Sequence, residues 1–239
     1  MADPRSVSPL QKLVEVAGHD LRNPLSVILV NAAVMARSGP IDDGRRIKSA
    51  TRILSNVGRM NRMIGDLLDF TFMKIGIPLP HHLAELNLGN LAAKAVDELH
   101  VSTPARTVAL ELSGDLSGRW DQDRLLRALQ TVLATAHKFG TPSEPLRMSC
   151  VDRTDHGVVE VTVEVAENPA LVGHLLRLFQ NVEAGDEIDQ DGQWIALAVL
   201  RRTIAAHQGT LEVVSSPADG VRIAARLPRQ AANGGSTVP

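Results

Sequence analysis

The chain has 239 residues, enough for two modest domains, and its 44% of hydrophobic residues can supply a core for each. Its 25 basic and 27 acidic residues nearly cancel to a net charge of −2, which argues against a nucleic-acid partner because such partners bind a basic face. The lone Cys150 excludes an intramolecular disulfide, and with no apolar run near the roughly 20 residues of a membrane span we expect a cytoplasmic protein with no membrane span and no metal site.

The first predicted element is a long helix. Residues 1–9 form a proline-containing lead that we expect to be disordered. From Leu10 to about Arg37, apolar or small residues recur every three or four positions, as they do in an amphipathic helix. The positions of this seam are Leu10, Val14, Ala17, Leu21, Pro24, Ile28 and Met35. His19 lies off the seam.

A second long helix follows a short connection. Ser38 to Gly44 has the composition of a turn and a helix cap, and a second seam then continues to about Met73. Its positions are Ile47, Ala50, Ile53, Val57, Met60, Ile64 and Leu67. Two long helices with one tight connection predict an antiparallel hairpin over residues 10–74.

Apolar positions beside the two seams predict a partner for the hairpin. Leu13, Leu25, Leu54 and Leu68 stay uncovered when the two helices pair only with each other. Burying each of them fully would contribute about 1.5 to 3 kcal/mol. We therefore expect a homodimer that forms a four-helix bundle. The alternative is that these faces pack on the downstream domain.

The rest of the chain predicts an α+β domain. Gly76 to Pro80 is rich in helix breakers, and we assign residues 75–83 to a linker. The domain itself spans residues 84–228 and is predicted to contain strands at 86–88, 108–112, 146–152, 158–165, 210–214 and 221–227 and helices at 89–100, 121–138, 170–180 and 193–207, the last ending at Gly209. Helices set against a mostly antiparallel sheet form an α/β sandwich. Residues 229–239 are expected to be a disordered tail.

The segment Gly18-His19-Asp20-Leu21-Arg22-Asn23-Pro24-Leu25 resembles the phosphoacceptor box of the sensor histidine kinases of two-component signalling. Phosphoryl transfer to histidine needs an unprotonated imidazole nitrogen, and a neighbouring carboxylate can hold the tautomer that provides it. Asp20 is the candidate for that carboxylate. Asn23 lies one helical turn from His19 on the same face, where its amide could contact the phosphoryl group or orient water. We therefore predict His19, Asp20 and Asn23 as the catalytic residues.

This order of elements resembles the sensor histidine kinases of two-component signalling over about residues 10–228. Residues 18–25 resemble the phosphoacceptor box of that family, and the segment Met63 to Phe70 resembles the end of its second dimerisation helix. The segment Gly209 to Pro228 resembles the closing hairpin of its ATP-binding domain. The resemblance implies a response-regulator receiver domain as partner, and a homodimer.

The resemblance also locates the nucleotide-binding boxes, and this chain departs from each of them. Where the family has two asparagines, the second of which binds Mg²⁺, it has Thr131 and Thr135, with Lys138 on the same helix. Where the family has Asp-x-Gly-x-Gly, it has Glu167 and then a proline, which fixes φ and donates no hydrogen bond. Of the three glycines of the last box it keeps only Gly192, and a tryptophan follows. We predict a degenerate ATP site at these five residues.

Three functions follow from these observations. In the first, which we favour, the protein is a histidine phosphotransferase of histidine kinase origin. His19 exchanges a phosphoryl group with an aspartate of a response regulator, and the group comes from an upstream kinase or a phosphorylated receiver. In the second, the protein is an active histidine kinase with a divergent site for ATP and Mg²⁺. In the third, it is a pseudokinase that docks and regulates two-component partners without catalysis.

Overall fold

The computed structural model describes residues 9–36, 42–77, 82–141, 144–153, 158–165, 193–216 and 220–229. Several predicted features lie outside these residues, namely the helix at 170–180 and the turns around residues 155–157 and 217–219. The chain divides into two compact units, one containing the helical hairpin and the other containing the sheet. Among the described residues, no helix combines the length and apolar character that crossing a bilayer requires.

The predicted hairpin is confirmed as two long helices, α1 (Pro9–Met35) and α2 (Asp43–Lys74), which pack against each other. The helix α1 begins at Pro9, which sequence had placed in the disordered lead. Proline is tolerated in the first turn of a helix because its missing N–H has no intrahelical partner there. The side chain of Asp42 caps α2 by accepting a hydrogen bond of 3.3 Å from the backbone N–H of Arg45.

Gly76 ends α2. It adopts a left-handed φ of 74°, the conformation that glycine reaches at least cost. The backbone N–H of Ile77 donates to the carbonyl of Phe72 at 3.0 Å, and that of Gly76 donates to Met73 at 3.2 Å. These two bonds satisfy carbonyls that the last turn of a helix leaves without partners. The helix therefore ends where the glycine predicted it would, and its last carbonyls are hydrogen-bonded.

The helix α2 carries two adjacent stripes of side chains, each with a seven-residue repeat. The covered stripe, whose members are all buried or half-buried, consists of Ser49, Ile53, Asn56, Met60, Met63, Leu67 and Phe70. The exposed stripe, in which only the alanine is half-buried, consists of Ile47, Ala50, Leu54, Val57, Asn61, Ile64 and Leu68. The second stripe has no cover within the chain among the described residues.

The predicted seam of α2 mixed these two stripes and was partly wrong. Ile47, Val57 and Ile64 were assigned to the contact with α1, but they are 66%, 41% and 44% exposed. Because both stripes repeat every seven residues, the period alone cannot tell which of them meets the neighbouring helix. The prediction that Leu54 and Leu68 stay uncovered is confirmed, since they are 72% and 54% exposed. Leu25 on α1 is also exposed.

The second unit is an α+β fold, as predicted. The elements from residue 83 onward are, in chain order, β1 (Leu83–Asn87), α3 (Leu88–Ser102), β2 (Val108–Ser113), β3 (Ser117–Asp121), α4 (Gln122–Phe139), β4 (Leu146–Arg153), β5 (Val158–Val165), α5 (Gln193–Ala206), β6 (Thr210–Ser216) and β7 (Gly220–Pro228). The helix α5 belongs to this unit from Leu200 onward. A five-stranded sheet has the order β2-β4-β5-β7-β6, in which only β2 and β4 are parallel. The strands β1 and β3 form a separate antiparallel pair.

The strand β3 was missed by sequence analysis. It is five residues long and contains Gly118, so it carries little strand signal. A Cβ at residue 118 would lie 2.3 Å from the ring of Trp120, so this position requires glycine. The indole N–H of the fully buried Trp120 donates to the carbonyl of Pro228 at 2.8 Å. A partner 108 residues away thus fixes this strand.

The core lies between the five-stranded sheet and its helices. Val159, Val161 and Val163 alternate along β5 and are buried, which is the period of a strand with one covered face. An apolar void of about 20 Å³ lies among Leu129, Ile204 and neighbouring core residues. It has room for little more than a water molecule and offers no polar group to hold one. We therefore assign it no ligand.

A buried histidine joins the end of α5 to the start of α4. His207 is 0% exposed; its Nδ1–H donates to the carbonyl of Thr203 at 2.8 Å, and its Nε2 accepts from the backbone N–H of Asp121 at 3.0 Å. The Asp121 carboxylate in turn accepts from the N–H groups of Arg124 and His82. Burial alone would raise the pKa of Asp121, but these hydrogen bonds and the Arg124 guanidinium hold it below its ordinary value.

The end of α5 differs in detail from the prediction. The left-handed residue is Gln208, with φ of 57°, and not Gly209. Gly209 is needed for another reason, because a Cβ there would lie 2.5 Å from the carbonyl oxygen of Arg226 on β7. The helix ends at Ala206, one residue earlier than predicted. The absence of a side chain at Gly209 allows the backbone of β7 to pack close to this residue.

The chain remains fixed one residue past the predicted domain end. Arg229 was assigned to the disordered tail, but its Nη1–H donates to the Asp115 carboxylate at 2.8 Å and its guanidinium forms an ion pair with Asp152. Its carbonyl also accepts from the N–H of Arg119 at 2.8 Å. Two carboxylates and a backbone bond hold this residue, so composition alone misplaced the boundary.

We expect His137 to make the fold sensitive to acid. Burial, together with the nearby Arg106 guanidinium, lowers the pKa of His137 from its ordinary value of 6.5, so the folded state favours the neutral ring. Below that value the unfolded chain takes up the proton more readily, and stability should fall as the pH decreases through about 6.5. Urea unfolding at about pH 7.5 and about pH 5.5 measures this loss.

The variant His137→Gln should lose less stability than the wild type over the same pH interval. His100→Gln is the matched control, because His100 is exposed at the end of α3 and should leave the pH dependence unchanged. An equal loss of stability in the wild type and in His137→Gln would show that His137 is not the group responsible.

Candidate functional site

His19 lies near the middle of α1 with its ring in solvent. Its side chain is 66% exposed, whereas that of the next residue, Asp20, is 11% exposed. The Nδ1 of His19 and Oδ1 of Asp20 are 3.3 Å apart. The imidazole ring is therefore accessible to solvent, whereas the carboxylate beside it is buried.

This contact determines which ring nitrogen can react. A carboxylate can only accept, so the hydrogen bond requires the proton of the neutral imidazole to be on Nδ1. The Nε2 atom then carries the free lone pair. An imidazole with a free lone pair in solvent is a nucleophile for phosphorus. The carboxylate of Asp20 lies within hydrogen-bonding distance of the His19 ring, which is the position that its predicted role requires.

The backbone around His19 is modified by Pro24. Pro24 has no N–H, so the carbonyl of Asp20 has no donor four residues along. Two residues further along, the hydroxyl of Ser26 donates to the carbonyl of Arg22 at 2.9 Å. Pro24 is buried, and Asn23 is exposed one turn from His19. The hydrogen bonding just after His19 therefore differs from that of a regular helix, since the carbonyl of Asp20 lacks its N–H donor and that of Arg22 accepts from a hydroxyl.

The face that carries His19 continues along α1 as a solvent-exposed strip. Its members, spaced by four and three residues, are His19, Asn23, Ser26, Val30 and Ala33, and all of them are exposed. Val30 is 64% exposed and is the large apolar residue of the strip. Sequence analysis singled out His19 and Asn23 but did not extend their spacing to Val30, which the same helical period would have found.

The residues predicted for nucleotide binding are only partly described. Thr131, Thr135 and Lys138 lie on one face of α4 at helical spacing. Thr135 is 1% exposed and Thr131 is half-buried, whereas Lys138 is exposed with its ammonium 5.5 Å from the ring centre of Phe139. Glu167 and Gly192 lie outside the described residues. Within the described ranges, no three His, Cys, Asp or Glu side chains gather as a metal site would require.

Comparison with protein families finds two matches in this chain. Residues 10–74 match the His Kinase A phospho-acceptor domain. Residues 120–231 match the family of ATPases like those of histidine kinases, DNA gyrase B and HSP90. The first match contains His19, and the second contains Thr131, Thr135 and Lys138.

The curated relatives that resemble this chain are longer than it is. It is 28% identical to a bacteriophytochrome of Pseudomonas aeruginosa over 95% of its residues and 31% of the relative. It is 28% identical to the sensor histidine kinase CusS of Escherichia coli K12 over 88% of its residues and 44% of the relative. It is also 28% identical to the probable sensor histidine kinase TcrY of Mycobacterium tuberculosis, over 92% and 46%. The chain thus spans less than half the length of these relatives.

Solved structures with a similar fold include the following two. The histidine kinase AdeS of Acinetobacter baumannii superposes with a TM-score of 0.54 at 13% identity, over 88% of this chain and 98% of that one. Full-length ShkA, solved in complex with AMPPNP, superposes with a TM-score of 0.55 at 20% identity, over 93% of this chain and 46% of that one.

Proposed function

Because the chain belongs to the histidine kinase family, we propose that it is a two-component signalling protein that carries a phosphoryl group on His19. The group is exchanged with an aspartate of a response-regulator receiver domain. The observation that supports this proposal best is the exposed ring of His19 beside the buried carboxylate of Asp20. In this proposal residues 10–74 are the dimerisation and phosphoacceptor domain, and residues 84–228 are the kinase-like domain.

The proposed chemistry uses only groups of the hairpin and the receiver. The Nε2 lone pair of His19 attacks the phosphorus of an aspartyl phosphate, an N–P bond forms, and the P–O bond to the aspartate breaks. The aspartate leaves as a carboxylate, so no proton has to be supplied to it. The Nδ1–H of His19 stays hydrogen-bonded to Asp20, which stabilises the positive charge that develops on the ring. The reverse transfer follows the same path.

We propose that the donor is another protein and not ATP bound to this chain. A Mg²⁺ ion prefers carbonyl or carboxylate oxygens, and Thr131 and Thr135 offer hydroxyls in place of the amides of the family. Thr135 is also buried, with 1% exposure. The two hydroxyls are therefore not ligands of the kind that the ion prefers. The glutamate and the proline near residue 167, which stand where the family has an aspartate and a glycine, also disfavour nucleotide binding.

An active histidine kinase remains the second candidate. The observation that favours it is the match of residues 120–231 to the ATPase family, because that match includes the helix with Thr131 and Thr135. In that case the chain would bind ATP through a divergent set of side chains and would phosphorylate His19 itself.

Two incubations separate the candidates. In the first, the chain is mixed with labelled ATP and Mg²⁺; in the second, it is mixed with a receiver domain labelled on its aspartate. Label on the chain in the second mixture alone supports a phosphotransferase. Label after the first mixture shows a kinase, and no label in either shows that the chain does not carry a phosphoryl group.

We also propose that the exposed stripe of α2 forms a homodimer. Leu54→Glu should convert the dimer to a monomer, because a charged side chain would have to be buried without a partner. A second substitution on the same stripe, Leu68→Glu, should act in the same direction. Light scattering at micromolar concentration measures the mass directly.

The control for this experiment is Val101→Glu. Val101 is 55% exposed at the end of α3 in the second unit, so the variant adds the same charge away from the hairpin and should leave the mass unchanged. A wild-type protein that is monomeric, or a Leu54→Glu variant that stays dimeric, would contradict the proposed interface.

A further inference from the structure

Four cations form a row along one edge of α2. They are Arg45, Lys48, Arg52 and Arg59, and all four residues are exposed. Their spacing of three, four and seven residues keeps them on one edge of the helix, and we call this set the basic row. None of them forms an ion pair with another described residue. The row therefore presents its positive charge to solvent.

The basic row lies on the same side of the hairpin as His19. On α2, Lys48, Arg52 and Arg59 each come directly before a member of the covered stripe. On α1, His19 comes directly before the buried Asp20 in the same way. Because α1 and α2 are antiparallel helices of the same hand, the residue before each covered residue points to the same side of the pair. The exposed stripe consists mostly of residues that follow covered ones, so it lies on the opposite side.

The row extends from the level of His19 toward the connection between the helices. His19 and Arg59 each lie sixteen residues from the end of their helix next to the connection. Because every α-helix rises by about 1.5 Å per residue, these two positions lie at about the same height. Val30 and Lys48 are each five residues from the same ends and are level in the same way.

We propose that the basic row selects receiver domains whose docking surface is acidic. This inference rests on the proposed function, in which the aspartyl phosphate of a receiver must reach Nε2 of His19 from solvent. That approach places the receiver against the side of the hairpin that carries the row. Opposite charges across this contact raise the association rate, and a receiver with a basic surface is repelled.

The two kinds of exposed side chain on this face have different parts in the contact. Interfaces between proteins combine an apolar centre with a polar rim. Val30, which is 64% exposed, supplies the apolar centre on α1. The basic row on α2 supplies the charged rim, and it acts on the choice of partner and on the rate of encounter more than on the stability of the complex.

An anionic membrane is the other surface that a row of cations could attract. A helix that lies on a membrane places large apolar residues beside its cations so that they enter the lipid. On α2 the large exposed apolar residues, Leu54 and Leu68, lie on the side of the hairpin away from the row. A membrane on the row would also cover the ring of His19. The arrangement therefore favours a protein partner.

Transfer kinetics at two ionic strengths test this inference. The probes are purified receiver domains, phosphorylated on the aspartate with labelled acetyl phosphate and sorted by whether the surface around that aspartate is acidic or basic. The Debye length falls from about 30 Å at 0.01 M salt to about 3 Å at 1 M. At the low ionic strength the wild type should accept label from acidic receivers about tenfold faster than from basic ones, and at the high one this preference should nearly vanish.

The combined variant Lys48→Gln, Arg52→Gln and Arg59→Gln removes three charges of the row. At low ionic strength it should accept label from acidic receivers about tenfold more slowly than the wild type. The loss should appear as a higher concentration of receiver at half-maximal rate and not as a lower maximal rate, because the row acts on encounter and not on the chemistry of His19.

The control is the combined variant Lys94→Gln, Arg147→Gln and Arg222→Gln. These three residues are exposed cations of the sheet unit, so the variant has the same net charge as the first one while the row stays intact. It should keep both the transfer rate and the preference for acidic receivers.

The outcomes separate this inference from the proposed function. Equal rates from acidic and basic receivers, or a row variant as fast as the wild type, contradict the role of the row and leave transfer to His19 intact. A row variant that no longer binds phosphatidylglycerol vesicles but accepts label at the wild-type rate would assign the row to a membrane instead. No label on the wild type from any receiver domain contradicts both.

Discussion

Phosphoryl transfer between the chain and a receiver domain is expected to fall by roughly a thousand-fold or more when His19 is replaced by Gln. The reason is that the nitrogen that bonds to phosphorus is removed, while the helix position and the polarity of the surface are kept. The measurement is the rate at which label leaves a phosphorylated receiver domain when this chain is present in excess.

Substitutions around His19 should have graded effects. Asp20→Asn keeps the size of the side chain but removes its charge, so the tautomer and the positive ring are less well stabilised, and we expect a loss of about 100-fold. Asn23→Ala removes one hydrogen-bonding group that is exposed beside the ring, and a loss of about tenfold corresponds to one such bond. His19 should therefore dominate, followed by Asp20.

Two further variants separate chemistry from docking. Arg22→Gln is the control, since Arg22 is exposed on α1 without a chemical role and should leave the rate unchanged. Val30→Arg changes the apolar residue of the strip that carries His19 and should slow transfer from a receiver domain. It should not slow labelling of His19 by a small phosphoryl donor, which needs no protein surface. Transfer that persists in His19→Gln would show that another residue is the acceptor.

The second large effect is expected in the sheet unit, where His207→Ala should lower the free energy of unfolding by about 2 to 4 kcal/mol. The substitution creates a cavity at a fully buried position and removes the ring nitrogen that accepts from the backbone N–H of Asp121. The carbonyl of Thr203 loses its bond from the ring but keeps the backbone N–H of residue 207. The hydrogen bond to Asp121 lies at the first turn of α4, so the loss should be felt at the start of that helix. Urea unfolding followed by circular dichroism measures it.

His207→Phe separates the two parts of this effect. Phenylalanine fills most of the volume but makes neither hydrogen bond, so the variant should still be less stable than the wild type. His100→Ala is the control, because an exposed substitution at a helix end usually changes stability by less than about 0.5 kcal/mol. If His207→Phe were as stable as the wild type, the two hydrogen bonds of the His207 ring would make no net contribution to the free energy of unfolding.

The hairpin and the His19 box could be predicted from sequence because their signals are local. A helix repeats its buried positions every three or four residues, and the tautomer argument for His19 needs only the next residue. The dimer stripe was harder to place. Ile47, Val57 and Ile64 have the same period as the covered residues beside them, and only the packing of α1 separates the two sets.

The features that sequence analysis missed depend on partners far along the chain. The strand β3 exists because β1 pairs with it and Trp120 reaches Pro228. His207 has no sequence pattern of its own, and its role appears only when Asp121, 86 residues away, is brought to its ring. Arg229 looked like part of a tail for the same reason, because the carboxylates that hold it belong to Asp115 and Asp152.

The buried indole of Trp120 makes the protein convenient for optical measurements. The chain has no tyrosine and two tryptophans, Trp120 and Trp194, and neither lies in the helical hairpin. The emission maximum of Trp120 should lie at short wavelength in the native state and move to longer wavelength when the sheet unit unfolds. The hairpin contains no tryptophan or tyrosine and does not contribute to this emission. In the variant Trp194→Phe, Trp120 is the remaining tryptophan, so fluorescence follows the sheet unit while far-ultraviolet ellipticity follows the helices of both units.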